Sequence, residues 1–157
     1  MSARVDITTH VRPMWRSDID AVLQLERAAY RFPWNQRIFQ DCLRVGYRAW
    51  VVTDKAERIL AYGFLSIALH EAHVLNICVA EGERGRGLAD QLLDTMIDAA
   101  IAGNAESLLL EVRPSNRPAR RLYKRRGFEF LARRPDYYPT SAGREDALLL
   151  SLPLITK

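Results

Sequence analysis

Two glycines one residue apart, Gly85 and Gly87, separate an apolar run at residues 74–79 from a stretch of helical periodicity at residues 88–102. A chain that passes from strand through glycine turn to helix within about thirty residues is committed to an α/β unit, because the helix must fold back over the sheet its strand enters. The turn also has a chemistry of its own. Two glycines let the backbone expose several N–H groups on one side, and the helix behind them adds unsatisfied amides and the positive end of its dipole. Arg84 and Arg86 stand beside the glycines, and guanidinium forks suit phosphate oxygens. The loop reads as a phosphate cradle, against the alternative of a Gly-rich connection with solvated arginines.

Three nucleotide-type readings compete for it. A Walker loop needs Gly, four residues and Gly-Lys-Ser or Gly-Lys-Thr, and no such run occurs. The dinucleotide fingerprint finds Gly85 and Gly87 behind a strand and Glu111 as a ribose-binding acid, but its third glycine is replaced by Asp90. The pattern that fits every letter is Arg/Gln-x-x-Gly-x-Gly/Ala, met by Arg84, Gly87 and Ala89. It resembles the pyrophosphate loop with which GCN5-related N-acetyltransferases, the GNAT family, hold coenzyme A.

At 157 residues, nearly half of them apolar, the chain is expected to form one globular domain with a proper core, spanning residues 1–157. The charged start, Met1-Ser2-Ala3-Arg4-Val5-Asp6, is unlike a signal peptide, and no apolar run reaches the ~18 residues of a membrane span. The expectation is a cytoplasmic protein without a membrane partner. Cys42 and Cys78 lie far apart, with no C-x-x-C or Cys/His spacing, which argues for buried thiols rather than zinc or a disulfide. His70 and His73 flank a strand turn and suggest no metal site. The net charge is +4, with Arg113, Arg117, Arg120, Arg121, Arg125 and Arg126 crowded together. A solvated helix face is the plain reading of that cluster and a phosphate-contacting patch the alternative. No aromatic interleaving calls for specific nucleic-acid binding.

The elements alternate without repeats. A first strand is expected over residues 7–14, then a helix capped by Ser17 with Ile19, Val22, Leu23 and Leu25 at helical spacing, and a second helix over 36–45. Strands over 48–53, 59–69 and 72–79 form a meander, with a turn at 54–57. The helix at 88–102 buries Leu88, Leu92, Met96 and Ala99 or Ala100 and stops at Gly103. A strand at 107–112 follows, then a helix capped by Asn116 or Ser115 and ended by Gly127, Pro118 being tolerated in its first turn. Strands at 128–133 and 147–152 enclose a long connecting loop.

The GNAT resemblance extends beyond the loop. Glu26-Arg27, Phe32-Pro33-Trp34, Asn76-Ile77-Cys78-Val79, Leu110-Glu111-Val112-Arg113, Ser115-Asn116, Leu122-Tyr123, Gly127-Phe128, Tyr137-Tyr138-Pro139 and Gly143-Arg144-Glu145-Asp146-Ala147 are similar to the RimI family, the bacterial ribosomal-protein-alanine N-acetyltransferases within GNAT. Arg84 and Ala89 stand where many relatives carry Gln and Gly. The resemblance implies a twisted mixed sheet with a V-shaped splay between the fourth and fifth strands and about four flanking helices. It implies acetyl-coenzyme A as cosubstrate and no metal. The cosubstrate would be held by Cys78, Val79, the loop Arg84-Gly85-Arg86-Gly87-Leu88-Ala89 and Asn116, with backbone N–H groups near Cys78 and Val79 meeting the thioester carbonyl.

The acceptor implied is the N-terminal α-amine of a small-subunit ribosomal protein, with association with the ribosome as a further partner role. Glu111, at the end of an apolar strand, is the expected general base; an ion pair with Arg113 is its structural alternative. Tyr123 is the expected general acid toward the departing thiolate, with a place in the helix core as the alternative. Trp34, Asn76, Tyr137 and Tyr138 are expected to wall the acceptor groove, and packing is equally open to Trp34. Two other classes stay open: an acetyltransferase for lysine or a small amine, and a non-catalytic module that senses acetyl-coenzyme A or docks on ribosomes.

Overall fold

The computed structural model describes residues 8–154. Seven strands and four helices follow in the order β1 (His10–Pro13), α1 (Ile19–Ala29), α2 (Gln36–Arg44), β2 (Arg48–Thr53), β3 (Ile59–Ala68), β4 (Glu71–Val79), α3 (Leu88–Ala102), β5 (Ser107–Val112), α4 (Arg117–Arg125), β6 (Glu129–Thr140) and β7 (Gly143–Pro153). The strands form one mixed sheet in the order β1-β2-β3-β4-β5-β7-β6. Contacts group into two compact units. One holds residues 8–66 and Leu75–Ala99, the other Ile67–Val74 and residues 100–154. No helix among the described residues is long and apolar enough to cross a membrane.

In the first unit β1, β2 and β3 pair antiparallel, and the faces of α1 and α2 close over them. Val22, Phe39, Val51, Tyr62 and Phe64, each fully buried, are the centre of that core. α3 buries Leu88, Leu92, Leu93 and Met96. It comes so close to β3 that a Cβ on Gly63 would lie 2.3 Å from the Met96 methyl, so glycine is what lets the two elements meet. Before α1 the chain makes a single 3-10 turn, Arg16–Asp18, and Ser17 caps nothing. Asp18 stands directly before the helix, but its side chain makes no cap bond to α1. Its carboxylate accepts the Trp15 N–H at 2.7 Å and a two-pronged bond from Arg12 at 2.8 and 3.0 Å, and the Arg12 guanidinium lies 3.9 Å from the Trp15 ring centre. The first strand is shorter than expected, and residue 7 of the expected span lies outside the described residues.

In the second unit β4 pairs parallel to β5 from Glu71↔Ser107 to Val74↔Leu110. The ladder stops there, while β5 continues against β7 through Glu111↔Leu149 and Val112↔Leu148. This is the split between fourth and fifth strands that the resemblance implies. α3 ends at Ala102, but the left-handed residue beyond it is Asn104, φ +64°, and not Gly103. Asn tolerates that conformation through its short polar side chain. Asn116 caps α4 by accepting the Ala119 N–H at 3.3 Å, and Gly127, φ +95°, closes it.

The larger departure is after α4. The expected long loop is absent: β6 and β7 are a hairpin whose pairing runs out to Thr140↔Gly143. Pro135 hid this from the sequence, because proline interrupts a strand. β6 is the edge of the sheet, and its register shifts between Arg134 and Tyr138. There Asp136, φ +51°, donates its N–H to Asp146 at 3.0 Å. A bulge on an edge strand accommodates a proline that a central strand rejects.

The hydrogen bond from Arg12, opposed by burial, pulls the Asp18 carboxyl below its usual pKa. A depressed folded-state pKa gives stability that is present above the unfolded value near ~3.9 and is lost as pH falls through the folded one. Asp18→Asn is expected to lower unfolding free energy by about 1–3 kcal/mol near neutral pH, and the deficit should shrink on acidification below the unfolded value. Urea unfolding at neutral and acid pH measures both.

Candidate active site

The first unit holds the glycine loop expected to cradle phosphate. β4 ends at Val79, Ala80 donates its N–H to the Leu60 carbonyl at 2.9 Å, and a 3-10 turn, Glu81–Glu83, leads into the glycines. Gly85 and Gly87 have φ of +81° and +79°, conformations that side chains rarely adopt. Nothing lies within 4 Å of where a Gly85 Cβ would stand, so the turn faces open space. The two arginines differ. Arg84 is exposed, its Nε 3.4 Å from the Val79 carbonyl, whereas Arg86 is ion-paired to Glu83. Leu88 is 1 % exposed, so only its backbone faces a ligand, and Ala89 is half-buried. Burial pushes the Cys78 thiol up to about 11. A buried thiol held protonated is not a nucleophile.

The same unit holds a carboxyl group that the sequence reading passed over. Glu26 falls at the i+7 position behind Ile19, Val22 and Leu23, on the buried face of α1, and is 2 % exposed. One oxygen accepts from the Tyr62 hydroxyl and from Asn76 Nδ2 at 2.9 Å; the other accepts the Trp34 N–H at 2.8 Å. Asn76 thus donates one side-chain hydrogen bond to Glu26. The half-buried Trp34 ring packs on Phe39 and Phe64, with centroids at 5.3 and 5.8 Å. The spacing 19, 22, 23, 26 was the available signal.

The second unit gathers Glu111, His73, Tyr123, Tyr137 and Tyr138. β5 alternates so that Leu108, Leu110 and Val112 are buried, which turns Ser107, Leu109 and Glu111 to the other face. The Glu111 side chain is 9 % exposed, and its Oε1 lies 3.0 Å from His73 Nε2. Register pairs His73 with Leu109, one step before Glu111 on the same face, which is how a parallel ladder brings the two together. Arg113, the expected structural partner, instead meets Glu145 at 3.3 Å. Burial disfavours the charge on Glu145, but hydrogen bonds from Ser115 and Arg113 outweigh it and hold the carboxyl below its usual value. Among the described residues nothing hydrogen-bonds to Glu111 Oε2, which is buried.

Tyr137 and Tyr138 stand on strand β6 rather than on a loop, and Tyr123 is on α4. A hydrogen bond to Glu111, followed by burial, raises the Tyr137 phenol. The Tyr138 ring meets Tyr137 edge-on at 4.8 Å and lies 4.5 Å from the Arg113 guanidinium, and burial and the nearby Glu111 charge push its phenol up. Tyr123 is 5 % exposed, edge-on to Phe128 at 5.5 Å, and burial pushes its phenol up as well. Asn116 is exposed at the start of α4. His73 is the residue of this cluster that sequence reasoning dismissed; its signal was parity with Glu111 across neighbouring strands. No group of three or more His, Cys, Asp or Glu among the described residues is placed to hold a metal.

A mixed sheet with a parallel β4/β5 split, a glycine turn before α3 and a nearly buried carboxyl on β5 define an acyl-transfer protein of the GNAT class. The chain belongs to that family: the sequence profile of the Acetyltransferase (GNAT) family matches residues 19–128, which makes it an N-acetyltransferase. It is 34% identical over 138 residues to the [ribosomal protein bS18]-alanine N-acetyltransferase of Escherichia coli K12, covering 88% of this chain and 93% of that one. The crystal structure of the ribosomal-protein-S18-alanine N-acetyltransferase from Escherichia coli superposes with a TM-score of 0.88 at 32% identity, covering 95% and 96% of the two chains. Arabidopsis thaliana NAA60 in complex with acetyl-CoA shares the fold, with a TM-score of 0.85 at 21% identity over 94% of this chain and 99% of that one.

Removing the Glu26 carboxyl leaves three donors without their acceptor, among them the hydroxyl of Tyr62, a residue with no exposed surface. Glu26→Ala is expected to cost about 3–5 kcal/mol and to shift tryptophan emission as the Trp34 loop loosens. Chemical denaturation followed by fluorescence reads both.

Proposed function

We propose that this chain acetylates the N-terminal α-amine of a small-subunit ribosomal protein beginning with alanine, using acetyl-CoA, and that it does so as one domain in the cytoplasm. The observation that carries the reading is the buried, unpartnered Oε2 of Glu111. A nearly buried carboxyl with one oxygen held and the other without a hydrogen-bond partner is suited to accept a proton from a substrate N–H, directly or through water. The acceptor named for the Escherichia coli relative, the alanine of bS18, supports the choice of substrate.

The anion turn fits the donor, because Gly85 leaves open the space a Cβ would fill, Arg84 is exposed beside it, and the N-terminus of α3 follows. Acetyl-CoA supplies an activated acyl carbon and a thiol leaving group. Backbone N–H groups at Cys78 and Val79 stabilise the negative charge that develops on the carbonyl oxygen. Glu111 Oε2 takes the proton from the attacking amine as the C–N bond forms. Tyr123 gives its phenolic proton to the sulfur as the C–S bond breaks. The burial that raises the phenol also raises the proton affinity of a thiolate leaving in the same dry surroundings, so acid and leaving group stay matched. Asn116 steadies the pantetheine arm, and Tyr137 and Tyr138 border the acceptor. An α-amine, with pKa near ~8, asks less of the base than a lysine near ~10.4.

His73 acts here as a positioning residue: its contact with Oε1 fixes which oxygen of Glu111 is offered to the amine. His73→Ala is expected to lower kcat by about tenfold or more with little change in the acceptor KM, and His73→Gln, which still donates a hydrogen bond, should recover part of it. Tyr123→Phe is expected to lower kcat by about 10²-fold while acetyl-CoA affinity, read by calorimetry, is unchanged. The reaction itself is tested with acetyl-CoA and two peptides, one with a free N-terminal alanine and one blocked at its terminus with an internal lysine. Mass spectrometry should find the acetyl group on the free terminus. Acetylation of the lysine alone would overturn the assignment.

A further inference from the structure

Within the second unit, α4 and the β6–β7 hairpin leave an open groove of about 470 Å³ that the acetyl-transfer reading does not use. One wall is the helix, which contributes Arg117, Arg120, Arg121 and Lys124. The floor is apolar, with Phe128, Leu148 and Leu150 buried and Phe130 exposed over 63% of its surface.

The wall is electrostatically uncompensated. α4 carries no acidic residue, and among the described residues no carboxylate forms an ion pair with Arg117, Arg120, Arg121 or Lys124; Arg120 donates to the Pro114 carbonyl at 3.0 Å. Two acids of the hairpin are spent elsewhere, Glu145 on Arg113 and Asp146 on Arg133 at 2.9 Å. Like charges three and four residues apart repel along a helix, so this arrangement destabilises a helix of nine residues. An exposed phenylalanine beside them, followed by Leu131 at 57% exposure, adds a second cost in water. Both are relieved by one kind of occupant.

We infer that the groove docks an acidic polypeptide segment carrying bulky apolar side chains. Carboxylates on one side of the segment meet the guanidinium forks of the wall, and apolar side chains on the other cover Phe130 and fill the floor, whose volume suits a few anchoring residues. The floor decides between polyanions. A single-stranded nucleic acid gains from a series of exposed rings on which bases stack, and this groove offers one exposed ring, Phe130, above a floor in which Phe128 is buried with Leu148 and Leu150. An acidic amphipathic segment uses wall and floor together.

The test uses the full chain and fluorescence anisotropy with four labelled probes: a short amphipathic peptide of Glu, Leu and Phe, its Glu→Gln counterpart, its Leu/Phe→Ser counterpart, and an oligouridylate of similar length. The Glu/Leu/Phe peptide is expected to bind at least about tenfold more tightly than either counterpart and than the oligouridylate. Arg117→Glu with Arg121→Glu, and separately Phe130→Ser, should each weaken it by about tenfold or more, while turnover on a short acceptor peptide is unchanged. Arg121→Gln is the milder variant should the double reversal disturb folding, and should weaken binding in the same direction. Equal binding of the three peptides, or no effect of Phe130→Ser, would overturn the inference as charge attraction alone. Preference for oligouridylate would overturn it in favour of a nucleic-acid face. Because turnover is read in parallel, failure of this site is distinguished from failure of the acetyl-transfer reading.

Discussion

The carboxyl group of Glu111 is the constraint around which the second unit is arranged. A side chain 9 % exposed at the end of β5 is paired through one oxygen and left open at the other, and an open, buried acceptor costs free energy unless something arrives to satisfy it. His73 reaches it because β4 runs parallel to β5 over four residue pairs. Tyr137 reaches it because β6 is strand to its tip rather than loop. Arg113 is instead paired with Glu145, which Ser115 holds in place, and its guanidinium lies 4.5 Å from the Tyr138 ring centre. Each of these elements makes sense as support for a group that has to be dry and still available.

Glu26 shows the same chemistry put to the opposite use. It is the more buried of the two, but three donors from Tyr62, Asn76 and Trp34 engage both its oxygens. It ties α1, β3, β4 and the Trp34 loop together, and the aromatic cluster of Trp34, Phe39, Tyr62 and Phe64 closes around it. Hydrogen-bond completeness, more than burial, separates Glu26 from Glu111, the base we propose.

Much of this was legible in the letters. The bounds of β2, α3 and β5 follow from apolar periodicity, and the Asn116 cap from its side chain and the proline two residues on. The glycine turn was readable because positive φ is a requirement few residues meet. What the sequence hid was set by neighbours distant along the chain. Ser17 looks like a cap, but it caps nothing, and the Asp18 carboxylate after it turns back to Trp15 and to Arg12 on β1 rather than to the helix. Pro135 looks like a loop, but an edge strand with a bulge tolerates it. His73 and Glu26 look ordinary until strand register and helix phase place one beside Glu111 and the other beneath Trp34.

The central claim is that Glu111 removes the proton from the acceptor amine. Its most direct test is the pH dependence of turnover for the parent chain and Glu111→Gln on a peptide with a free N-terminal alanine, with acetyl-CoA affinity measured alongside. The account predicts unchanged acetyl-CoA binding, a loss of about 10²–10⁴-fold in kcat near neutral pH, and partial recovery above ~8, where the amine is already neutral. Turnover by Glu111→Gln equal to that of the parent at neutral pH would contradict it.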